Sequence, residues 1–380
     1  MDLDFSEEQE MLRSMSRDFL VKECPKTLVR ELQDSEQGYS PELWRKMAEV
    51  EWMGMVFPEE YGGTGGEFMD LIVLLEEMGR NVVPGPFFST VVMGGLPILA
   101  AGTDDQKKKF LPAIAKGECI LSLALTETSA TYDAAGIDAT ASADGDNYSI
   151  NGKKLFVYDA HVADYILVVT RTSKEADPEA GITIFLVDAK SQGITCTVMP
   201  TVARDKQCEV IFENVKVPKS NILGQLDQGW SVITRIKEQA NIAKCAEMVG
   251  GARATLDMTV AFAKDRVAYG KPIGSYQAIQ HYCASMLMDI ETAQDITYEV
   301  AWMVEEGLPC IKEVAITKAW VSDAYRRVTE RGVQIHGAIG TTRDHDVSLY
   351  YQQAKAAEVF FGDANYHREL IAQQLAPITR

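Results

Sequence analysis

The spacing of apolar residues divides the chain into three stretches. From Ser6 to about Lys116 the apolar positions recur three to four residues apart, which is the period of one face of an α-helix. Breaks in this period come at the glycine-rich run Glu59 to Glu67 and at Val82 to Pro86, where turns are expected. The first stretch therefore predicts a helical domain.

Between about Ile120 and Asn221 the pattern changes to short runs rich in β-branched residues, which is typical of strands. The predicted strands are Tyr165 to Thr170, Gly181 to Val187, Thr195 to Met199 and Val210 to Val217. Polar turns are expected at Asp144 to Asp146 and at Asn151-Gly152. This middle stretch predicts a compact β domain, either a barrel or a sandwich.

The helical period returns at Gly229, and only Gly307, Pro309 and the glycines near position 337 are expected to interrupt it. Because helices and strands are segregated along the chain, the fold class is α+β. The predicted domains are an N-terminal helical domain (1–119), a middle β domain (120–225) and a C-terminal helical domain (226–380).

Composition narrows the classes of function. The chain has 37 Lys and Arg against 55 Asp and Glu, and the formal net charge of −18 disfavours a nucleic-acid or membrane-surface role. Seven scattered cysteines without a CxxC pair favour reduced, mostly buried thiols over a disulfide framework. Neither a signal peptide nor a membrane span is recognisable, so a cytoplasmic location is expected.

The usual short motifs for metals and nucleophiles are missing. The five histidines form no HExxH pattern, and no metal site is expected. The run Gly62 to Gly66 lacks the lysine and the preceding strand of a phosphate-binding loop, so it predicts a turn.

Four segments carry a specific signal when they are taken together and in order. They are Leu123 to Ile137, Gly152 to Asp164, Asp265 to His281, and the pair Gln334 to Gly340 and Phe361 to Arg368. At these places the chain resembles the acyl-CoA dehydrogenase family of flavoproteins over essentially its whole length. The resemblance implies a C-terminal four-helix bundle, bound FAD and a dimer of dimers.

The resemblance also implies cofactor contacts in the middle domain. Leu125 and Thr126 match positions along the flavin ring, where a backbone amide and a hydroxyl can hydrogen-bond ring atoms. Thr131 is expected among the same contacts. Phe156 and Tyr158 match the aromatic and Thr positions that flank the ring, with Tyr158 replacing the usual Thr.

In the C-terminal domain, further positions match residues that hold the rest of the cofactor. Arg266, Tyr269 and Gln277 match residues that reach the FAD of a neighbouring subunit, and a guanidinium suits a diphosphate. Gln334, Gly337 and Ala338 match a small-residue motif that approaches the cofactor, with Ala338 replacing a second Gly.

The usual catalytic glutamate is absent from its matching position. Phe361 stands there; its backbone N–H could still polarise a thioester carbonyl, but its side chain cannot accept a proton. A second place used in the family holds Ala240, and the segment Phe87 to Pro97 contains no acid. Asp363 is a candidate base or cofactor contact, or an N-cap of the last helix.

Three positions are expected to meet the substrate. Glu238 matches an acidic contact to the CoA moiety, whereas Tyr132 and Asn241 replace a Ser and an Arg that usually help to hold it. Tyr132, Glu238 and Tyr366 are also open alternatives for the base.

Three functions remain open from the sequence. In the first, the protein is an FAD-dependent acyl-CoA dehydrogenase or reductase that acts on an unusual branched or cyclic acyl group. Alternatively, it is a non-catalytic FAD-binding subunit that pairs with a glutamate-bearing paralogue, or a silent acyl-CoA binding protein. The expected partners are an acyl-CoA, an electron-transferring flavoprotein or similar acceptor, and further subunits in a homotetramer or heterotetramer.

Overall fold

The computed structural model describes residues 5–375 in two compact units, each assembled from separated stretches of chain. One unit contains the chain up to Arg30, Glu67–Val83 and the chain from Asn241 onward. The other contains Glu31–Gly66 and Pro84–Ala240.

The first part of the chain is helical, as predicted. Its helices are α1 (Glu7–Glu23), α2 (Lys26–Asp34), α3 (Pro41–Glu49), α4 (Phe68–Asn81), a π-helical segment (Phe88–Gly95), α5 (Leu96–Ala101) and α6 (Asp104–Ala115). Capping boxes fix two of the starts, because Ser6 and Thr103 each exchange hydrogen bonds with a glutamine three residues later.

A buried charged cluster ties α4 to its own unit. The guanidinium of Arg17 donates two hydrogen bonds to the carboxylate of Glu77, at 2.6 and 3.0 Å. The neighbouring Glu76 accepts from the hydroxyl of Tyr298, which lies 222 residues away in the sequence. Burial raises the pKa of Glu76. The cluster therefore joins segments from both ends of the chain.

The middle part forms one mixed sheet. Its strands are β1 (Leu121–Ala124), β2 (Thr140–Asp144), β3 (Asn147–Tyr158), β4 (Tyr165–Arg171), β5 (Ile182–Asp188), β6 (Ile194–Met199), β7 (Gln207–Pro218) and β8 (Ile222–Leu223). Their order is β6-β7-β3-β2-β4-β5-β8, with β1 beside β4. Because β6 and β8 are the ends of this order, the described strands form an open sheet and not a closed barrel.

The turn predicted at Asn151-Gly152 is wrong. Both residues lie inside β3, where the pairing with β7 shifts between Ile150 and Gly152. Gly152 has a φ of 151°, and a Cβ there would lie 2.5 Å from the Cβ of Ala139. The glycine therefore permits a bulge and a close approach of neighbouring chain, which sequence alone does not separate from a turn.

The C-terminal part has five described helices. They are α7 (Trp230–Asp265), α8 (Gln277–Glu305), α9 (Ile311–His336), α10 (Val347–Val359) and α11 (Ala364–Leu375). One apolar core is shared by α7, α8, α9 and α10, so the expected four-helix bundle is confirmed. None of the helices in the described part of the chain is long and apolar enough to cross a membrane.

One interruption of the last helical stretch was not predicted. A short hairpin of β9 (Val267–Ala268) and β10 (Lys271–Pro272) separates α7 from α8. Its two-residue turn, Tyr269-Gly270, has φ values of 53° and 80°, and positive φ at both turn residues is the preferred geometry for closing a hairpin. None of the seven cysteines, all of which lie in the described part of the chain, forms a disulfide, and five of them are buried, as expected.

Candidate functional site

The segment after β1 is anchored by a buried ion pair. The ammonium of Lys154 lies 2.6 Å from a carboxylate oxygen of Glu127 and donates to the carbonyl of Leu125 at 3.1 Å. Glu127 also accepts from the backbone amides of Asp138 and Ala139. Burial lowers the pKa of Lys154 to about 8. Thr126, between the two anchored residues, is therefore held in a fixed backbone position.

The structure brings Thr126 to the strand that carries Phe156. The amide of Leu155 donates to the carbonyl of Thr126 at 2.8 Å, although the two residues lie in different predicted segments. At Phe156 the chain bulges, because the pairing of β3 with β7 shifts between Lys154 and Val157. Phe156 has a φ of 56° and is 44% exposed, so its ring presents a face to solvent next to the buried Val157.

The end of β3 places Tyr158 and Asp159 side by side. The hydroxyl of Ser122 donates to the carbonyl of Tyr158. Tyr158 is half-buried, and Asp159 is buried with a φ of 56°. The hydroxyl of Ser89 donates to a carboxylate oxygen of Asp159 at 2.7 Å.

Two expected substrate positions lie close together in the unit that contains the sheet. The ammonium of Lys237 donates to the carbonyl of Tyr132 at 2.7 Å, and Glu238 follows Lys237 on α7. Burial lowers the pKa of Lys237 and raises that of Glu238. Thr131, by contrast, is exposed in the loop between β1 and β2.

Asn241, the third expected substrate position, has an unsatisfied polar group. It is 3% exposed, and its side-chain oxygen has no hydrogen-bond partner among residues 5–375. A buried amide oxygen without a donor is destabilising unless something outside the described protein atoms supplies one. The position therefore fits a ligand contact.

The hairpin between α7 and α8 presents the residues matched to a neighbour's FAD. Arg266 is exposed at the end of α7, Tyr269 is 98% exposed at the tip, and Gln277 is exposed at the first turn of α8. The amide of Ile273 donates to the carbonyl of Arg266 at 2.8 Å and closes the hairpin. A fully exposed tyrosine is consistent with a contact to a second subunit.

The end of α9 carries the expected small-residue motif. Gln334, Gly337 and Ala338 are all exposed there, and Gly337 ends the helix with a φ of 65°. The last residue of α9 is His336, whose ring stacks on Phe262 at 4.4 Å between centroids. Burial lowers the pKa of His336.

The turn between α10 and α11 contains Phe361, the residue expected to match the position of the usual base. Phe361 is 7% exposed and has a φ of 47°, which is strained for a bulky residue. Gly362 has a φ of 110°, and a Cβ there would lie 2.2 Å from the ring of Tyr366. The carboxylate of Asp363 accepts from the amide of Tyr366 at 2.8 Å, so Asp363 has the geometry of the N-cap alternative.

A buried lysine that sequence reasoning missed fixes this turn. Lys318 on α9 is fully buried and donates to the carbonyls of Ala357, Glu358 and Gly362 at 3.1 to 3.2 Å. Burial lowers its pKa to about 8. The sequence signal for this contact was a lysine at an apolar position of α9. A lysine there would be buried, and a buried cation needs several hydrogen-bond acceptors.

The residues of each unit fit a flavin when they are considered separately. The sheet unit offers an exposed aromatic face at Phe156 and a backbone-fixed threonine at Thr126, while the hairpin offers an exposed guanidinium at Arg266 for a diphosphate. A cavity of about 610 Å³ in the sheet unit is lined by other residues, among them Thr140, Arg171 and Lys174. No cluster of three potential metal ligands occurs among the residues that the structure describes.

Comparisons with known proteins agree with this arrangement. Family models match three consecutive segments: "Acyl-CoA dehydrogenase, N-terminal domain" at residues 6–118, "middle domain" at 122–215 and "C-terminal domain" at 227–376. A probable acyl-CoA dehydrogenase of Bacillus subtilis (strain 168), YngJ, is 33% identical over 99% of this chain and 100% of its own length.

Solved structures show the same fold. Butyryl-CoA dehydrogenase from Megasphaera elsdenii is 29% identical, with a TM-score of 0.92 over 99% of this chain and 100% of that one. A chain of the ChsE4-ChsE5 complex from Mycobacterium tuberculosis is 26% identical, with a TM-score of 0.90 over 99% of both chains. With its three consecutive matches and these relatives, the chain belongs to the acyl-CoA dehydrogenase family.

Proposed function

We propose that the protein is an FAD-dependent oxidoreductase that introduces or removes a carbon–carbon double bond in the acyl group of a CoA thioester. The approach of Thr126 to the Leu155-Phe156 bulge carries the proposal, since it brings two predicted flavin-edge segments to one place. When bound, the flavin supplies a hydride acceptor. We expect a branched or cyclic acyl group, because Phe361 matches the position at which the family usually carries a glutamate.

Residues of the protein would bind the cofactor and the substrate and would polarise the thioester carbonyl. Arg266 would bind the diphosphate, with Tyr269 and Gln277 contributing across a subunit interface. The backbone N–H of Phe361 would polarise the thioester carbonyl, and the strained turn held by Lys318 supports such a fixed donor. Tyr132, Glu238 and Asn241 would contact the CoA thioester.

The test begins with the purified full chain. Its visible spectrum should show an oxidised flavin, and anaerobic addition of branched, cyclic and straight-chain acyl-CoAs should bleach that flavin with at least one of the first two groups. Arg266→Ala should lose most of the flavin on desalting, whereas Arg45→Ala, which removes an exposed arginine paired with Glu49, should keep it. A colourless wild type that stays colourless with added FAD would contradict the proposal.

A second candidate function is favoured by the same phenylalanine. We propose as the alternative that the chain is a non-catalytic, FAD-binding subunit whose partner carries the glutamate. Its likeness to a chain of the two-component ChsE4-ChsE5 complex supports this assignment. Flavin that is retained only after co-expression with a glutamate-bearing paralogue, in a complex containing both chains, would select the alternative.

A further inference from the structure

Two cysteines that the proposed function does not use lie together in the sheet unit. Cys196 on β6 pairs with Val210 of β7, and Cys208 on β7 pairs with Val198 of β6. Residues opposite each other share a face of the sheet, as do residues two apart on one strand. The two thiols are therefore diagonal neighbours on one face. Cys196 is exposed on the strand that ends the sheet order, whereas Cys208 is fully buried.

The contact between the two thiols makes the exposed one the more acidic. A hydrogen bond with the Cys208 thiol lowers the pKa of Cys196. The same hydrogen bond, together with burial, raises the pKa of Cys208. Cys196 is therefore the first of the pair to ionise, and its sulfur is accessible to solvent. An accessible, acidic cysteine beside a second cysteine is the arrangement typical of thiols that react with oxidants.

His161 contacts the buried thiol of the pair. Its Nδ1 lies 3.9 Å from the Sγ of Cys208, and its Nε2 donates to the carbonyl of Gln37 at 3.0 Å. Because that carbonyl holds the proton of the neutral ring on Nε2, Nδ1 keeps its lone pair. Burial opposes a charge on the ring, but hydrogen bonds with Cys208 and Gln37 outweigh it and raise the pKa of His161. The ring is thus placed to accept the thiol proton.

We propose that Cys196 is an oxidation site for hydroperoxides and that Cys208 converts the oxidised form into a disulfide. First, the Cys196 thiolate attacks a peroxide oxygen. An S–O bond forms, the O–O bond breaks, and the departing alkoxide or hydroxide takes a proton from water. Second, His161 accepts the Cys208 proton while the Cys208 sulfur attacks Cys196. The S–O bond breaks, and the hydroxide leaves as water with that proton. The two thiols lose two electrons, which the peroxide gains.

Closing the disulfide requires a small movement of β6. Diagonal neighbours on antiparallel strands have α carbons about 7–8 Å apart, whereas those of a disulfide lie about 4.4–6.8 Å apart. Because β6 ends the order of the described strands, a shift of β6 strains its pairing with β7 alone. A disulfide closed against this geometry is strained and easily reduced. We therefore expect a reversible modification.

The experiment treats the purified full-length protein with hydrogen peroxide, blocks the remaining thiols with iodoacetamide and analyses non-reduced tryptic peptides by mass spectrometry. Cleavage places Cys196 in peptide 191–204 and Cys208 in peptide 207–216. In wild type these peptides should be joined, and dithiothreitol should separate them. Cys283 is the internal control, since it is a partly exposed thiol on α8 whose pKa is raised by burial. It should be oxidised about tenfold more slowly than Cys196, or slower still.

Substitutions test the separate steps. Cys208→Ala should leave Cys196 as a sulfenic acid that dimedone labels, and Cys196→Ala should leave Cys208 reduced at the same peroxide dose. His161→Gln should still form the sulfenic acid but should close the disulfide about tenfold more slowly or slower. His281→Gln, which changes an exposed histidine on α8, should close it at the wild-type rate. The joined peptides of wild type test the inference even if the buried Cys208→Ala variant does not fold.

Three results would overturn the inference. They are equal oxidation rates at Cys196 and Cys283, a Cys196 sulfenic acid that accumulates in wild type as much as in Cys208→Ala, and a disulfide from Cys196 to any other cysteine. An unchanged closure rate in His161→Gln would overturn the role of His161. Every readout follows thiols and none follows flavin. Failure of this inference therefore leaves the proposed oxidoreductase function standing, and failure of that function leaves the oxidation site standing.

Discussion

Replacement of Lys318 by methionine tests whether a buried cation holds the turn that carries Phe361. Methionine keeps most of the side-chain volume but removes the donor to the carbonyls of Glu358 and Gly362. An unsatisfied buried carbonyl costs about 1–3 kcal/mol. We therefore expect Lys318→Met to lower the free energy of unfolding at pH 7 and to slow acyl-CoA oxidation through loss of the Phe361 geometry.

The pH dependence gives a sharper test. Burial lowers the pKa of Lys318 from its ordinary 10.5 to about 8. Between these values the unfolded chain binds more protons than the folded protein, so the lysine's contribution to stability rises with pH. At 1.36 kcal/mol per pH unit the rise amounts to about 3 kcal/mol. The stability of wild type relative to Lys318→Met should therefore increase from pH 8 towards pH 10.5.

The assay is equilibrium urea unfolding of both proteins at pH 7, 8, 9 and 10, followed by circular dichroism. The difference between the two cancels the other groups that titrate in this range. Lys312→Met, a partly exposed lysine on the same helix, is the control. A difference that stays constant or falls with pH would show that the three carbonyls stabilise the ammonium more than burial disfavours it, and would refute the reasoning.

Three further predictions concern neighbouring features. Phe361→Glu should allow straight-chain acyl-CoAs to bleach the flavin. No gain over Val359→Glu, which changes an exposed residue two positions earlier, would show that Phe361 does not occupy the position of the base. Lys154→Met should lower the free energy of unfolding by about 3–5 kcal/mol, because it leaves Glu127 buried without its cation. The double variant Lys154→Met/Glu127→Gln should recover part of that loss, as measured by the melting temperature and by flavin retention. Gly79→Ala should lower the free energy of unfolding by more than about 3 kcal/mol, because the added Cβ would lie 2.0 Å from the carbonyl oxygen of Glu247. A change in melting temperature of only a degree or two would contradict that contact.

Periodicity predicted the regular elements well, because burial of one face sets the spacing of apolar residues. Strands β4 and β5 begin and end within one residue of the predicted limits, and α9 lies between the interruptions predicted at Pro309 and near position 337. The errors lie where one glycine-containing pair suits two geometries. Asn151-Gly152 is a bulge inside β3, and Tyr269-Gly270 is a hairpin turn inside a stretch expected to be helical.

For the candidate site, the sequence predicted only the residues that belong to local motifs. The resemblance identified Thr126 and Phe156, and the structure brings them together. Lys318 was missed because its surroundings are tertiary: Gly362, whose carbonyl it contacts, lies 44 residues away in the sequence. No spacing rule in the sequence reports such contacts.

The hydrogen bond between Glu76 and Tyr298 can form during synthesis only after both residues have left the ribosome. Tyr298 emerges 222 residues after Glu76, which at about 5–20 residues per second is a delay of roughly 10–45 s. During that interval α4, with Leu71, Leu74 and Leu75 destined for full burial, has no completed core to enter. Recombinant yield should therefore depend on chaperone supply and on translation speed downstream of α4 more than on the stability of the finished fold.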